Sequence, residues 1–97
     1  MKTLKEIERL LKGQKEVLKK KYGIEEIGVF GSYVRKTMKQ RSDLDILVEF
    51  GRTIGLLKFV EIENYLGDLL GIKVDLVMKG ALKPKIGRQI LKEVIYL

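Results

Sequence analysis

Apolar residues along this chain switch repeatedly between helical and strand spacing, and this alternation is the strongest constraint on its fold. The spacing predicts a first helix over roughly residues 3 to 22, where Thr3 and Glu6 form a capping box and Gly23 is the stop. The later elements are predicted as strand 27–30, a short helix capped by Ser32 that continues to about Met38, strand 43–50, helix 56–70 ended by Gly71, strand 73–78 and a last helix starting near Pro84. The economical architecture is an α/β (α+β) fold, with one mixed sheet of about three to four strands flanked by helices.

Length and composition limit what such a fold can do. The chain has 97 residues, so residues 1–97 are expected to form one domain with one core and one shallow site. It contains neither cysteine nor histidine, which excludes disulfides, thiolate nucleophiles, cysteine-ligated zinc and a histidine base. Catalysis would therefore rest on carboxylates, hydroxyls, Lys, Arg and a hard cation such as Mg²⁺.

The chain is basic, with 20 Lys+Arg against 13 Asp+Glu and a formal charge of +7. This charge fits a nucleotide, a nucleic acid or an acidic partner, and it equally fits a lysine-rich solvated surface. A nucleic-acid-binding module is not favoured, because there is no basic strand rich in aromatic residues. No long apolar run or signal-peptide core is present, so no membrane association is predicted and the cytoplasm is the expected location.

Two acids in the predicted strand 43–50 are the first candidate site residues. Asp43 and Asp45 are two positions apart, which places them on one face of a strand, roughly 6.6–6.8 Å apart along it. Asp43 also fits an ordinary turn residue beside Ser42, but Asp45 lies between Leu44 and Ile46 inside an apolar run. Because a carboxylate held there needs a compensating charge, the pair predicts a divalent cation site.

Asp75 is the third candidate, since it also lies between strand-forming residues. It is either an edge-strand acid facing water, paired with Lys73, or a third ligand if its strand lies beside strand 43–50. Neighbouring strands lie about 4.8 Å apart. Three such carboxylates could hold two metal ions about 3.5–4 Å apart.

A Gly31-Ser32 turn precedes the two acids by ten residues, and it can offer backbone N–H groups and a hydroxyl to a phosphate. Alone, it also fits an ordinary strand-to-helix turn. Arg35 lies one helical turn beyond Ser32, where it could reach a triphosphate oxygen or be simply solvated. Acids for a metal beside donors for a phosphate indicate chemistry on a nucleoside triphosphate.

The pattern Gly31-Ser32-x₁₀-Asp43-x-Asp45 with a later strand Asp75 resembles the polymerase-β-type nucleotidyltransferase superfamily. The whole chain resembles its minimal branch, the antitoxins of HEPN/MNT toxin–antitoxin pairs. Lys36 stands where members of this family often carry Gly. The similarity continues through 47–50, 70–77 and 90–93.

This resemblance implies a Mg²⁺-dependent adenylyltransferase that moves AMP from ATP to a tyrosine of a helical HEPN ribonuclease and silences it. Asp43 and Asp45 would hold Mg²⁺, in one or two ions, and Asp75 would complete the set and activate the acceptor hydroxyl. Gly31 and Ser32 would hold the triphosphate. A hetero-oligomer with the toxin would follow.

Two rival functions remain open from the sequence. A non-catalytic antitoxin could neutralise its toxin by binding alone, through apolar residues such as Ile95, Tyr96 and Leu97, which equally fit the last turn of a packed helix. A nucleotidyltransferase acting on a small molecule such as an aminoglycoside is less favoured, because the chain offers no acceptor-binding domain.

Overall fold

The computed structural model describes residues 2–97, which form four helices and four strands. In chain order the elements are α1 (Leu4–Tyr22), β1 (Ile24–Phe30), α2 (Ser32–Arg35), β2 (Leu44–Phe50), α3 (Leu56–Leu70), β3 (Val74–Met78), a 3₁₀ turn (Lys79–Ala81), α4 (Pro84–Glu93) and β4 (Ile95–Tyr96). Within these residues, no helix combines the length and the apolar character that crossing a membrane requires.

The four strands form one mixed sheet in the order β3-β2-β1-β4, as the sequence predicts for the fold class. β1 pairs antiparallel with both β2 and β4, while β2 and β3 run parallel. A parallel pair needs a crossover connection, and α3 supplies it. This crossover places the two predicted acid-bearing strands side by side.

The hydrophobic core lies between one face of the sheet and helices α1 and α3. Ile46 at the centre of β2 is completely buried, with Leu11 of α1 and Leu66 of α3 equally inaccessible. Such burial contributes about 1.5–3 kcal/mol for each large side chain. Because side chains alternate along a strand, burial of Ile46 in this core places Asp45 on the opposite face of the sheet.

The helix boundaries follow from local sequence chemistry. Thr3 and Glu6 form the predicted capping box: the Thr3 hydroxyl accepts from the Glu6 backbone N–H, and the Glu6 carboxylate accepts from the Thr3 backbone N–H. Gly23 and Gly71 end α1 and α3 in the left-handed conformation, with φ of 73° and 66°. Pro84 lies in the first turn of α4, where its missing N–H has no cost.

One strand was not predicted, and the interpretation of the last three residues as a helical turn is wrong. Val94 has extended backbone angles, and Ile95 and Tyr96 pair with Val29 and Gly28 of β1. The apolar residues across 86–94 have helical spacing, and the two strand residues that follow are too few to show a strand pattern. β4 forms because it pairs with β1, which is far away in the sequence. β4 protects that edge from pairing with other chains.

Two other boundaries also differ from the sequence-based ones. β1 begins at Ile24, three residues before the predicted start, since Glu25 and Glu26 obscure the strand pattern. α2 ends at Arg35 instead of continuing to Met38, because Lys36 adopts a left-handed conformation with φ of 61°.

Candidate functional site

The sheet register brings the predicted acids together. Asp45 is paired directly with Asp75 across the parallel β2–β3 ladder, and with Phe30 across the antiparallel ladder on its other side. Directly paired residues project from the same face, so the Asp45 and Asp75 side chains are neighbours. Asp43 lies one residue before β2, two positions from Asp45. The condition set for Asp75 to join the other acids is therefore met, because its strand lies beside β2. Asp75 is also exposed and β3 is an edge strand, as the alternative interpretation expects.

The face that carries these acids is covered in the middle of β2 and open at both ends, since Glu49 is also exposed. Leu47, two positions further along β2, is 1% exposed, and the 3₁₀ turn after β3 lies against this strand. Asp45 and Asp43 are half-buried and Asp75 is exposed. The acids thus lie at the end of the sheet where β2 and β3 begin.

Electrostatic crowding acts most strongly on Asp45. Burial first, and then the negative charges of Asp75 and Asp43, raise the pKa of this carboxyl to about 6, while Arg35 opposes them. A divalent cation would relieve both the desolvation and the repulsion, and an all-oxygen donor set suits Mg²⁺. The carboxylates do not form a ready-made cage, however: within residues 2–97 no three acidic side chains are drawn together closely enough to hold an ion.

Gly31 joins the predicted phosphate turn to the acids. Its φ of 79° and ψ of −151° lie in a region that is essentially restricted to glycine. A methyl group at this position would collide with the Asp45 carboxylate. The lack of a side chain at Gly31 is thus what allows the turn to lie directly against Asp45.

Ser32 is the first residue of α2, but its predicted role as the helix cap is wrong. Gly31 is the N-cap, and its carbonyl accepts the backbone N–H groups of Val34 and Arg35. No side chain caps this helix. The Ser32 hydroxyl is consequently not used for capping and lies half-buried beside the turn.

Glu93 is a site residue to which the sequence analysis assigned no role. Its Oε2 accepts a hydrogen bond from the Gly31 backbone N–H at 2.7 Å, and both its oxygens lie 3.0 Å from a guanidinium nitrogen of Arg35. Arg35 therefore faces a carboxylate instead of being simply solvated. The available signal was weak: one acid ends a helix whose other charged residues are all basic.

Two concave surfaces flank the acids. One is a cleft of about 230 Å³ between the Gly31 turn and α4, lined by Gly31, Arg35, Asp45, Ile86, Gln89 and Glu93. The other is a groove of about 890 Å³ on the Asp43 side, bordered by the basic residues Lys2, Arg41 and Lys73. Tyr33 lines this groove, and burial together with the Asp43 charge raises its pKa. The arrangement provides room for an anionic ligand on both sides of the carboxylates.

Lys36 occupies a position whose backbone conformation favours glycine. It is the only residue other than glycine with a positive φ among residues 2–97, and it follows α2 directly. Glycine adopts this conformation without the steric cost that a Cβ imposes.

Replacing Lys36 by Gly is therefore expected to stabilise the protein by about 0.5–1 kcal/mol, net of the entropy that glycine adds to the unfolded chain. The measurement is the free energy of unfolding in urea. Replacing Lys39 by Gly, in the loop that follows, is the control and should bring no gain. A loss of stability in Lys36→Gly would show that the left-handed geometry is not limiting.

Comparisons with known proteins agree with this geometry. The family profile described as "Nucleotidyltransferase domain" matches residues 11–97. Protein adenylyltransferase MntA of Thermococcus cleftensis is 54% identical over 97 residues, which cover 100% of this chain and 98% of that protein.

Solved structures give the same assignment. One solved structure, named "putative minimal nucleotidyltransferase", superposes with a TM-score of 0.75 at 35% identity. The match covers 94% of this chain and 95% of that one. A toxin–antitoxin structure with AMP-PNP superposes with a TM-score of 0.70 at 26% identity, covering 93% of this chain and 68% of that one.

A mixed sheet that sets paired carboxylates beside a glycine-serine turn defines the nucleotidyltransferase class of enzymes. The chain belongs to this nucleotidyltransferase family, as the resemblance of its motifs implied.

Proposed function

We propose that this protein is an antitoxin that transfers AMP from ATP to a tyrosine hydroxyl of a partner HEPN-type ribonuclease. The observation that carries the proposal is the pairing of Asp45 with Asp75, with the Gly31 turn packed against Asp45. The 54% sequence identity to a protein adenylyltransferase, over the whole chain, supports the reaction. The similarity to a toxin–antitoxin structure with AMP-PNP supports a toxin as the partner and an adenine nucleotide as the substrate.

Asp43, Asp45 and Asp75 are the residues proposed to hold Mg²⁺, as one or two ions. When bound, Mg²⁺ would neutralise charge on the triphosphate and on the departing pyrophosphate. The raised pKa of Asp45 indicates a site that is short of positive charge, as a cation-binding site without its cation should be. Because the carboxylates are not preassembled into a cage, their side chains are expected to close around the ion together with the nucleotide.

Each remaining site residue has a defined task in the proposed reaction. The Gly31 backbone N–H, the Ser32 hydroxyl and the Arg35 guanidinium would bind triphosphate oxygens. The tyrosine oxygen attacks the α-phosphorus, the bond from that phosphorus to the bridging oxygen of the β-phosphate breaks, and pyrophosphate leaves. Asp75 is the most exposed of the three acids, and it accepts the tyrosine proton.

The test is to mix the protein with ATP, Mg²⁺ and the helical protein encoded beside it, and then to weigh that partner by mass spectrometry. The expected result is a partner heavier by one or more AMP groups. The Asp43→Ala/Asp45→Ala double variant is expected to add none, because it lacks two of the proposed metal ligands. An unchanged partner mass, alongside an active adenylyltransferase as positive control, would overturn the proposal.

A second arm of this experiment separates catalysis from binding. The double variant is expected to lose protection of cells that express the toxin. If it protects them as well as the unaltered protein does, neutralisation is by binding alone. Asp68→Ala is the matched control, since Asp68 is an exposed acid on α3 away from the site and should keep both properties.

A further inference from the structure

Glu93 makes its contacts at the position proposed for a nucleotide phosphate. Its carboxylate accepts a hydrogen bond from the Gly31 backbone N–H at 2.7 Å and forms a salt bridge with Arg35 at 3.0 Å. These are two of the three donor groups assigned above to the triphosphate. The Glu93 side chain is 17% exposed, whereas that of Arg35 is 49% exposed, so the carboxylate lies on the inner side of this pair.

The Gly31 amide cannot serve two anions at once, whereas Arg35 uses only one guanidinium nitrogen on Glu93. The Gly31 amide has a single hydrogen, and a 2.7 Å bond to a charged oxygen already uses it fully. A phosphate oxygen placed on the same amide would also meet the Glu93 carboxylate at close range, with Asp45 on the other side of the turn. Nucleotide and Glu93 therefore compete for one position.

The element that carries Glu93 is suited to such a role. Of the residues in α4 only Gly87 is fully buried, and Ile86 and Leu91 are 60% and 44% exposed. Glu93 is the last residue of the helix, directly before the extended Val94 and β4. A change of its side-chain rotamer would thus release the donors without disturbing the core.

We propose that Glu93 occupies the phosphate position of the nucleotide-free enzyme and that ATP must displace it, so that this residue sets the affinity for the nucleotide. This inference rests on the function proposed above and goes beyond it, because it assigns to Glu93 a role against the nucleotide. A residue that merely held α4 or Arg35 in place would have the opposite effect, since its removal would weaken nucleotide binding.

The experiment is a calorimetric titration with Mg²⁺ and α,β-methylene-ATP, whose α–β linkage cannot be cleaved. Glu93→Gln is nearly isosteric and removes the negative charge, and it is expected to bind the analogue about tenfold tighter than the unaltered protein. Glu16→Gln removes the same charge from an exposed site on α1 and should leave the affinity unchanged. Equal or weaker binding by Glu93→Gln would overturn the inference.

A measurement on the unaltered protein guards against a variant that fails to fold. With ¹³C-labelled glutamate, the carboxyl resonance of Glu93 should shift when the analogue is added, because its two partners are lost. An unmoved resonance at saturating analogue would contradict displacement. If the analogue binds neither protein, the proposed function and this inference both fall, whereas unaltered binding in Glu93→Gln removes the inference alone.

Discussion

Asp45→Asn is expected to abolish AMP transfer and, at the same time, to raise the stability of the metal-free protein at neutral pH. Asparagine keeps the size of the side chain but cannot provide the negative charge proposed to hold Mg²⁺. A loss of transfer by about a thousandfold or more is expected, in the range that removing charge stabilisation from a transition state produces. The measurement is the initial rate of AMP incorporation into the partner.

The gain in stability follows from the direction of the Asp45 pKa shift. Burial first, and then Asp75 and Asp43, raise this pKa from 3.8 to about 6, so the folded protein holds the proton more tightly than the unfolded chain does. Without metal, the free energy of unfolding therefore falls as the pH rises from about 4 to about 6, and stays lower above that range. Asparagine cannot ionise, so it escapes this cost.

We expect Asp45→Asn to gain about 1–2 kcal/mol at pH 7.5 after allowance for solvent screening, and no gain at pH 4. Thermal unfolding with a chelator at both pH values measures this. Mg²⁺ should raise the melting temperature of the unaltered protein at pH 7.5 and leave that of Asp45→Asn almost unchanged. Asp68→Asn, at an exposed position, is the control. A destabilised Asp45→Asn at pH 7.5 would show that the carboxylate is not under electrostatic strain.

The acids of the site could be predicted because each is unusual in its own segment. Asp45 and Asp75 interrupt apolar strands, and no local preference accounts for a carboxylate there. Whether Asp45 and Asp75 are neighbours depends on the order of the strands in the sheet. The spacing of apolar residues in the sequence does not determine that order. The crossover through α3 settles it by placing β3 parallel to β2. Sequence alone could thus identify these two residues but not the register that pairs them.

Glu93 and β4 were missed for a common reason, which is that both depend on contacts between distant parts of the chain. The Glu93–Gly31 hydrogen bond spans 62 residues, and the only local signal is that Glu93 is the one acid in an otherwise basic helix. β4 is two residues long and exists because β1 offers a free edge. Local propensity carries no information about such partners, whereas both caps of α1, which are local, were predicted correctly.

Gly31→Ala is expected to cause a large loss of folding stability. Two separate costs combine at this residue. Alanine is strained at a φ of 79° with a ψ of −151°, which costs about 1–3 kcal/mol. The added methyl group would also displace the Asp45 carboxylate, and with it the link between the phosphate turn and the acids.

The expected total for Gly31→Ala is about 2–4 kcal/mol, measured as the free energy of unfolding in urea. Gly13→Ala is the matched control: Gly13 lies within α1, and apart from adjacent residues and the helix backbone nothing lies within 4 Å of an added methyl. A gain of about 0.5–1 kcal/mol is therefore expected there. If Gly31→Ala proves as stable as the unaltered protein, the turn does not have this geometry.

The two costs at Gly31 can be separated by a double-mutant cycle with Asp45→Ala. Truncating Asp45 removes the carboxylate that the methyl group would meet but leaves the unfavourable backbone conformation in place. Gly31→Ala is therefore expected to cost about 1 kcal/mol less when Asp45 is already alanine. An equal cost in both backgrounds would mean that backbone strain accounts for the whole loss. A reduced cost would show that the missing side chain of Gly31 is what lets the Gly31-Ser32 turn lie against Asp45, the acid proposed to bind metal.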